Sequence, residues 1–401
     1  MKLALEGIRI LDLTRLIPGP FCTMILADLG AEVIKIEEPR VGDYERQIKP
    51  IVNGMAYRFM LLNRNKKSVG LNLKAEDGRR IFLDLVRRAD VVVEGFRPGA
   101  MTKLGLDYSN LKEVKPDIVY CSISSYGHSG PAVRQVAHDI NILAQIGLLD
   151  LIGAAGGPPV VPGVQIVDTV AALYAVIGIQ AALTNRTHTG RGQQVDISMH
   201  DCAFSLMFDN ARYPLGEKRL PQRGSERLSG GLAHYNIYQT KDGQHIALGA
   251  IEQKFKNRLL EKLGLDAFIE KTDAVTTSEV DPDKEATLKK RLGEIIGKKD
   301  LGELNDLLAP ENICFSPILN VEEALKDPQL AAREMVVEAR HPVAGGYTQL
   351  GSPLKLSGSP PDIGRLPAPR LGEHTREVAT ELGLSEDEIN RLINRKVICV
   401  D

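Results

Sequence analysis

The sequence lacks a charge imbalance and a long uninterrupted apolar run. Its 401 residues carry 50 Lys and Arg against 52 Asp and Glu, which gives a formal charge of −2. This balance, without a long basic run, argues against nucleic acid as the main partner. The longest apolar stretches, such as residues 164–183, are interrupted by Asp168 and Gly178. We therefore expect no membrane-spanning helix and no membrane partner.

Paired cysteines are missing as well. The cysteines at positions 22, 121, 202, 314 and 399 are odd in number, and none belongs to a CxxC pair. This spacing excludes a zinc ribbon and a disulfide framework and is typical of reduced thiols. The N-terminus meets a charge at Glu6 before a leader-like apolar region can form. With 43% hydrophobic and 25% charged residues, the chain is expected to be a globular cytoplasmic protein.

The short motifs of several large enzyme classes are absent too. The sequence contains no GxSxG, no GxxxxGK[ST] and no HExxH, and its eight histidines show no metal-ligand spacing. The turn after the first predicted strand, residues 15–20, reads RLIPGP rather than GxGxxG. These absences argue against the common serine hydrolases, P-loop NTPases and zinc proteases, and against dinucleotide binding.

The first 125 residues alternate short β-rich runs with helical stretches. One helical stretch places Ile81, Phe82, Leu85 and Val86 on a single face. Strands are predicted at 7–13, 32–38, 68–73, 90–96 and 118–124, and helices at 21–29, 75–89 and 101–114. This alternation indicates βαβ units and a parallel sheet covered on both sides.

The pattern changes in the second half of the chain. Residues 218–231 are polar and rich in Arg and Gly, as in a linker. Residues 235–240 and 245–250, joined by KDGQ, predict a β-hairpin. A helix over 252–263 and charged helices within 284–308 follow, so this region is expected to form a small α+β domain. Further helices are predicted at 168–184 and 373–394.

Three polar residues stand where the pattern changes: His138, Asp168 and Glu252. Each has a structural explanation, because Asp168 can cap a helix, Glu252 can be a first-turn acid and His138 can be a satisfied surface or core residue. Chemically they form a usable set, since imidazole exchanges protons near neutral pH and a carboxylate can act as base or nucleophile. The spacing alone leaves both interpretations open.

A series of ordered motifs gives the chain a family resemblance. They are residues 25–37 (ILADLGAEVIKIE), 63–67 (NRNKK), 94–99 (EGFRPG), 125–131 (SYGHSGP) and 189–193 (TGRGQ). Through them, nearly end to end, the chain resembles the family III CoA-transferases, which include α-methylacyl-CoA racemases. The resemblance implies an α/β fold with a Rossmann-like, CoA-binding large domain over 1–217 and 330–401, with linker helices. It also implies a small α+β domain over 218–329 and an interlocked homodimer.

Two activities divide this family, and Asp168 matches the catalytic Asp of both. The residues HDIN (138–141) and GAIE (249–252) resemble the racemases more closely than the transferases. The resemblance therefore favours a racemase that inverts the α-carbon of a 2-methyl-branched acyl-CoA by two-base proton transfer. His138 and Asp168 would be the two bases, and Glu252 would orient or charge the imidazole.

Two alternatives remain open. The first is a CoA transferase that moves CoA between carboxylic acids through an aspartyl-CoA intermediate on Asp168, and the second is a non-catalytic acyl-CoA-binding protein. No cofactor beyond the CoA of the substrate, and no metal, is implied. Phosphates favour Arg and Lys, although each such residue could also be part of a solvated basic surface. The positions that match CoA contacts are Ile17, Leu71, Gly95, Arg97 and Lys103, and Arg64 is a further candidate.

Overall fold

The protein is described by a computed structural model that covers residues 2–269 and 281–401. These residues form two compact units. Unit 1 comprises the chain up to Ile146, Gly163–Leu206 and Pro328–Asp401, and unit 2 comprises Gly147–Pro162 and Met207–Asp327. The predicted large domain includes residues 147–162 and 207–217, but in the structure both ranges belong to unit 2. Residues 270–280 of the predicted small domain lie outside the described residues.

The strands of the described chain are short and mostly buried. In chain order they are β1 Arg9–Asp12, β2 Glu32–Glu37, β3 Ile51–Val52, β4 Met55–Ala56, β5 Lys66–Leu71, β6 Val91–Glu94, β7 Val119–Ser124, β8 Gln194–Ser198, β9 Tyr235–Gln239, β10 His245–Gly249, β11 Phe315–Pro317, β12 Val336–His341, β13 Gly345–Leu350 and β14 Ile398–Cys399. The strands predicted in the first 125 residues are confirmed, as is the hairpin of β9 and β10.

The α-helices alternate with these strands and are joined by 3₁₀ and π turns. In chain order they are α1 Pro18–Asp28, α2 Tyr57–Asn63, α3 Glu76–Val86, α4 Ala100–Leu104, α5 Tyr108–Val114, α6 Asp139–Gln145, α7 Leu148–Leu151, α8 Ile166–Thr189, α9 Met199–Phe204, α10 Phe208–Arg212, α11 Gln253–Lys262, α12 Pro282–Ile296, α13 Leu301–Leu308, α14 Val321–Ala324, α15 Pro328–Ala332, α16 Thr375–Glu381 and α17 Glu386–Asn394.

Two predicted helices are each split in two by a glycine. The helix predicted over 101–114 ends at Gly105, which has φ +69°, and it restarts after Asp107, whose side chain accepts a hydrogen bond from the Asn110 N–H. The helix predicted over 373–394 breaks in the same way at Gly383, with φ +93°, before Ser385 caps α17. A left-handed glycine ends a helix because it has no Cβ to clash, and a capping side chain begins the next one.

Unit 1 is built on a sheet whose order in the described chain is β14-β5-β2-β1-β6-β7-β8. Its neighbours are parallel except β14, which pairs antiparallel with β5 at the edge. This confirms the predicted α/β class with a large parallel sheet. The chain passes from β1 outward to β2 and β5, then returns to β6 on the other side of β1. The order therefore reverses between β1 and β6, where the connections after these strands diverge and leave a crevice.

Helices cover this sheet as the apolar pattern predicts. On one face, Ile81, Phe82, Leu85 and Val86 of α3 are buried in a cluster with residues of β1, β2, β6 and β7 and of the C-terminal helices. Burial of such side chains stabilises the fold by about 1.5–3 kcal/mol each.

Among the described residues, α8 alone has the length and apolarity that a bilayer span needs, although 39% of its most apolar 18-residue stretch is buried inside the protein. It packs against α1, α9, β7 and β8 in unit 1. The observed helix is longer at both ends than the helix predicted over 168–184. It begins at Ile166, and its polar last turns continue to a C-cap at Gly190 with φ +67°.

Unit 2 contains an antiparallel sheet of order β11-β10-β9. Leu248 of β10 packs with Leu259 and Leu260 of α11 and with residues of α12 and α13 in a second apolar core. This arrangement is the α+β domain that the hairpin and charged helices predict.

Candidate active site

A cavity of about 700 Å³ lies in unit 1, where the sheet order reverses. Its walls come from the connections that follow β1, β6 and β7, together with the start of α6 and the first turn of α8. The lining residues are 14–16, 18, 19, 44, 95–98, 100, 123–126, 133, 135–138, 141, 168 and 199. In doubly wound sheets, ligands bind in this position outside the carboxyl ends of the strands.

The cavity brings together two of the three candidate catalytic residues. His138, exposed at the start of α6, and Asp168, half-buried in the first turn of α8, both line it. Thirty sequence positions separate them, so their meeting depends on how α6 and α8 pack. Within the described residues, no hydrogen bond or ion pair engages the Asp168 carboxylate.

Asp168 does not cap its own helix, although the sequence permits that role. The cap is supplied by Asp139, whose Oδ2 accepts hydrogen bonds from the backbone N–H of Val167 at 2.7 Å and of Asp168 at 3.2 Å. An acidic side chain at a helix N-terminus satisfies unpaired N–H groups and is favoured by the helix dipole. Asp139 thus holds the backbone of the candidate nucleophile and leaves its side chain uncommitted.

The electrostatic surroundings of Asp168 make its carboxylate more basic than usual. Burial, together with the negative charge of Asp139, raises the pKa of Asp168 to about 6 against the lowering effects of His138 and Arg58. Strongly shifted carboxyl groups in a cleft are typical of functional sites. Near neutral pH the group is mostly ionised, so it can act as a nucleophile.

Glu252 belongs to unit 2 and not to the unit that carries this cavity. It is the N-cap residue of α11 rather than a residue of its first turn, its side chain caps no backbone N–H, and it is exposed.

Two of the proposed CoA contacts lie at the cavity and two lie close to it in sequence. Gly95 and Arg97 are exposed lining residues after β6. Ile17 is the N-cap residue of α1, beside lining residues 16 and 18, and Lys103 is exposed in α4. Arg97 and Lys103 can present their charges to phosphate groups from this position.

The structure argues against the two remaining predicted contacts. Arg64 is 2% exposed, and its Nη2 and Nε donate to the Asp28 carboxylate at 2.7 and 3.0 Å, while its Nη1 donates to the Leu350 carbonyl at 2.8 Å. The side chain of Leu71 is buried in the apolar core of unit 1. Both predictions are corrected here: Arg64 neutralises a buried acid and Leu71 packs in the core, so neither side chain is available to a ligand.

A buried charge network supports the connection between β1 and α1. Asp12 accepts hydrogen bonds from the Thr14 Oγ1 at 2.5 Å, the Thr23 Oγ1 at 2.6 Å and the Lys66 Nζ at 3.2 Å. Burial alone would raise the pKa of Asp12, but Lys35 and Lys66 lower it far below its usual range. The network fixes Thr14, a lining residue of the cavity.

A close backbone approach shapes the same connection. A Cβ added at Gly19 would lie 2.1 Å from the Thr14 Cβ, so only glycine fits at this position. The glycine in the turn RLIPGP (15–20) therefore has a structural reason that the sequence alone does not reveal.

Glu94, at the carboxyl end of β6, supports the cavity although no sequence pattern singled it out. Its side chain is 2% exposed and accepts a hydrogen bond from the Phe96 N–H at 2.7 Å, which fixes the cavity wall at residues 95–97. Burial raises the pKa of Glu94 to about 7. The signal in the sequence is an acid at the end of an apolar strand, in the motif EGFRPG.

No group of three or more His, Cys, Asp or Glu side chains in residues 2–269 and 281–401 is arranged to hold a metal ion.

Comparison with known proteins adds a family to this geometry. The model for CoA-transferase family III matches residues 5–375. The formyl-CoA:oxalate CoA-transferase of Streptomyces coelicolor is 36% identical, over 98% of this chain and 99% of that protein. Human succinyl-CoA:glutarate CoA-transferase is 33% identical, over 98% and 90%. The solved structure of a CAIB/BAIF family protein from Brucella suis is similar with a TM-score of 0.83 and 31% identity, over 95% of this chain and 100% of that one.

These comparisons overturn the racemase expectation. The similar proteins are named for CoA transfer to a carboxylic acid, which supports the alternative activity. The motifs HDIN and GAIE therefore do not identify the reaction. Asp168 matches the catalytic Asp of both activities and remains the candidate catalytic residue. The roles of His138 as a second base and of Glu252 as the residue that orients or charges the imidazole depended on the racemase reaction and no longer have support.

Proposed function

Because the chain belongs to CoA-transferase family III, we propose that it is a CoA transferase that moves coenzyme A from an acyl-CoA thioester to a free carboxylic acid, with Asp168 as the nucleophile. The observation that carries the proposal is the uncommitted Asp168 carboxylate in a cavity at the reversal of the sheet order. A carboxylate nucleophile divides an exchange between two acids into steps that each form one bond and break one.

The first half of the reaction loads CoA onto the protein. An Asp168 oxygen attacks the thioester carbonyl carbon and expels the CoA thiolate, which leaves a mixed anhydride between Asp168 and the acyl group. The thiolate then attacks the Asp168 carbonyl carbon, which forms an aspartyl-CoA thioester and releases the donor as its carboxylate. The second half repeats these steps in reverse with the acceptor carboxylate, so Asp168 is regenerated.

The surroundings of Asp168 suit this chemistry. Its pKa of about 6 keeps it ionised at neutral pH yet more nucleophilic than an ordinary Asp. His138 lowers the pKa of Asp168 and thereby favours the ionised carboxylate. We propose Gly95, Arg97, Ile17 and Lys103 as the residues along which CoA lies, with the cations near its phosphates. No part in the transfer is assigned to Glu252.

The test is to find the covalent intermediate. Purified protein is incubated with succinyl-CoA or formyl-CoA, quenched, digested and analysed by mass spectrometry for a CoA adduct on the peptide that contains Asp168. The Asp168→Asn variant should lose the adduct and at least 1,000-fold in transfer to glutarate or oxalate, about 4 kcal/mol of barrier.

A matched control is Asp387→Asn, since Asp387 is also an acid in a first helical turn but is exposed on α17. This variant should keep the adduct and the wild-type rate. An Asp168→Asn protein that is folded and still transfers CoA would eliminate Asp168 as the nucleophile.

We further propose that the protein works as a homodimer in the cytoplasm. An exposed apolar row on α8, with Leu173 44% and Ile177 60% exposed one turn apart, supports contact with a second copy. Free thiols at all five cysteines agree with a reducing compartment. Light scattering during size-exclusion chromatography tests the dimer, and Ile177→Glu should increase the monomer fraction.

A further inference from the structure

Asn141 has an uncommitted amide N–H group at the cavity that contains Asp168. It lies in the first turn of α6, is exposed, and lines the cavity together with His138 and Asp168. Its Oδ1 accepts a hydrogen bond from the backbone N–H of His138 at 3.0 Å. A backbone N–H only donates, so the amide oxygen faces it and Nδ2 is the free end of the side chain. No acceptor within residues 2–269 and 281–401 takes a hydrogen bond from this Nδ2.

Three hydroxyl groups that line the same cavity are already engaged within the protein. The pairs are Thr14 Oγ1 with Asp12 at 2.5 Å, Ser125 Oγ with the Ala137 carbonyl at 3.3 Å and Tyr126 Oη with Gln145 Oε1 at 2.7 Å. The Ser124 hydroxyl has no such partner among the described residues, but its oxygen is buried. Donors that are engaged or buried are not available to a reacting group, whereas the Nδ2 of Asn141 is.

The position of Asn141 is tied to that of Asp168. His138 and Asn141 are three residues apart at the start of α6, so their side chains lie on the same face, and the charge of His138 acts on the Asp168 carboxylate. In the same turn, Asp139 accepts a hydrogen bond from the Asp168 N–H at 3.2 Å. One helical turn therefore carries both the free amide and the group that holds the backbone of Asp168.

The proposed transfer creates an oxyanion on Asp168 itself. When the CoA thiolate attacks the Asp168 carbonyl carbon of the mixed anhydride, a C–S bond forms and the π electron pair moves onto the carbonyl oxygen. The pair returns when the donor carboxylate leaves. The same oxygen is charged again when the acceptor carboxylate attacks the aspartyl-CoA thioester and expels the thiolate. Because this oxygen stays on the protein, a donor fixed relative to Asp168 stabilises it in both steps.

We propose that Asn141 is a catalytic residue whose Nδ2–H donates a hydrogen bond to the oxyanion that forms at the Asp168 carbonyl. The proposal rests on the transferase function above and assigns it a further residue. The amide is neutral and does not titrate, so it stabilises the developing charge without forming an ion pair with the resting carboxylate. No proton leaves the amide. One fixed donor of this kind contributes about 100- to 1,000-fold to kcat.

Two substitutions remove the donor and keep the branched shape of the side chain. Asn141→Asp retains an oxygen that accepts from the His138 N–H, so its melting temperature should equal that of wild type. Asn141→Leu introduces no charge. Transfer from succinyl-CoA to glutarate, or from formyl-CoA to oxalate, is measured at pH 8, where Asp168 is ionised. Both variants should lose about 100-fold or more in kcat, with KM values that change by less than about 3-fold.

The fate of the mixed anhydride gives a second readout. Without the donor, attack of the thiolate on the Asp168 carbon is slower, so water hydrolyses more of the anhydride to the donor acid and Asp168 and leaves CoA as a free thiol. A thiol reagent measures this CoA. The ratio of CoA released to CoA transferred should rise about 10-fold in both variants. A merely structural loss of active sites would lower both quantities and leave their ratio unchanged.

The matched control is Asn390→Asp. Asn390 is exposed on α17, is not a lining residue of the cavity, and its Oδ1 accepts from the Arg376 Nη2 at 3.5 Å. This variant should keep the wild-type kcat and ratio.

A folded Asn141→Leu protein with the wild-type kcat would overturn the donor role, and so would a loss of kcat at an unchanged ratio. In both cases wild type still forms the CoA adduct on Asp168, so the transferase function stands. A wild type that forms no adduct and transfers no CoA would refute the transferase function, and the role of Asn141 would fall with it.

Discussion

The carboxylate of Asp139 accepts a hydrogen bond from the backbone N–H of Asp168 at 3.2 Å, so one acid caps the helix that carries the other. Asp139 also accepts from the Val167 N–H at 2.7 Å, and its charge raises the pKa of Asp168. Two separable effects follow from one side chain: a hydrogen bond that fixes the start of α8 and a charge that raises the pKa of the proposed nucleophile. Substitutions can remove them one at a time.

Asp139→Ala removes both effects, and Asp139→Asn removes only the charge. We expect the alanine variant to lose about 1 kcal/mol of stability, because α8 loses its cap, and to turn over at least 10-fold more slowly. The asparagine variant should keep its stability, since an amide oxygen still accepts, but the acid limb of its rate profile should move to lower pH. Denaturant titration and kcat/KM between pH 5 and 8 measure these changes. Wild-type turnover in Asp139→Ala would exclude a positioning role.

The sheet could be predicted from the sequence because its signal is local. Each strand of the large sheet is a short apolar run between turn residues, and α3 shows its buried face in the spacing of Ile81, Phe82 and Leu85. The roles of Asp139 and Arg64 could not be predicted in this way. Each depends on a partner far away in the chain, Asp168 and Asp28, which only the packing of α6, α8 and α1 brings near.

The reaction was mispredicted for a related reason. A short motif such as HDIN identifies a helix start and a histidine at a cavity, but not the reaction that takes place there. The geometry of Asp168 is compatible with a base or with a nucleophile, and the difference lies in the substrate. Similarity over the whole chain to proteins named as CoA-transferases was needed to favour one of the two reactions.

Asp168→Asn should produce an inactive protein that is more stable than wild type at neutral pH. The folded pKa of Asp168, about 6, lies above the ordinary value of 3.8, so ionisation of this group opposes folding. The penalty is absent below the unfolded pKa, grows as the pH rises from there to about 6, and levels off above that pH at about 3 kcal/mol. Urea unfolding of both proteins at pH 8, 6 and 4 should show a gain that shrinks toward zero with acidity. An equal gain at all three values would contradict the raised pKa.

Arg97 and Arg64 should separate ligand binding from stability. Arg97→Gln removes an exposed charge at the cavity, so we expect the KM for acyl-CoA to rise about 10-fold with unchanged melting temperature. Arg64→Gln leaves the buried Asp28 without its ion-pair partner, so we expect a loss of about 3 kcal/mol of stability. Steady-state kinetics and thermal unfolding of both variants test the distinction. If Arg64→Gln were stable and weakened CoA binding, the predicted contact would have to be restored.

The buried network at the end of β1 should respond strongly to the loss of a single charge. Lys66 contacts Asp12 at 3.2 Å, and although burial lowers the pKa of Lys66 to about 8, it is charged at pH 7. Lys66→Met leaves Asp12 with only Lys35, whose Nζ is 4.0 Å away. Removing one partner of a buried ion pair costs about 3 kcal/mol of stability, whereas removing both charges costs much less.

Asp12→Asn/Lys66→Met should therefore recover at least half of the stability that Lys66→Met loses, measured by urea unfolding at pH 7. The single variant should also raise the KM for acyl-CoA, because Asp12 accepts from the Thr14 N–H at 2.9 Å and Thr14 lines the cavity. Equal stability of the single and double variants would mean that Lys35 alone neutralises Asp12. In that case Asp12 would still hold Thr14 in place in the single variant, and the KM of that variant for acyl-CoA should equal that of wild type.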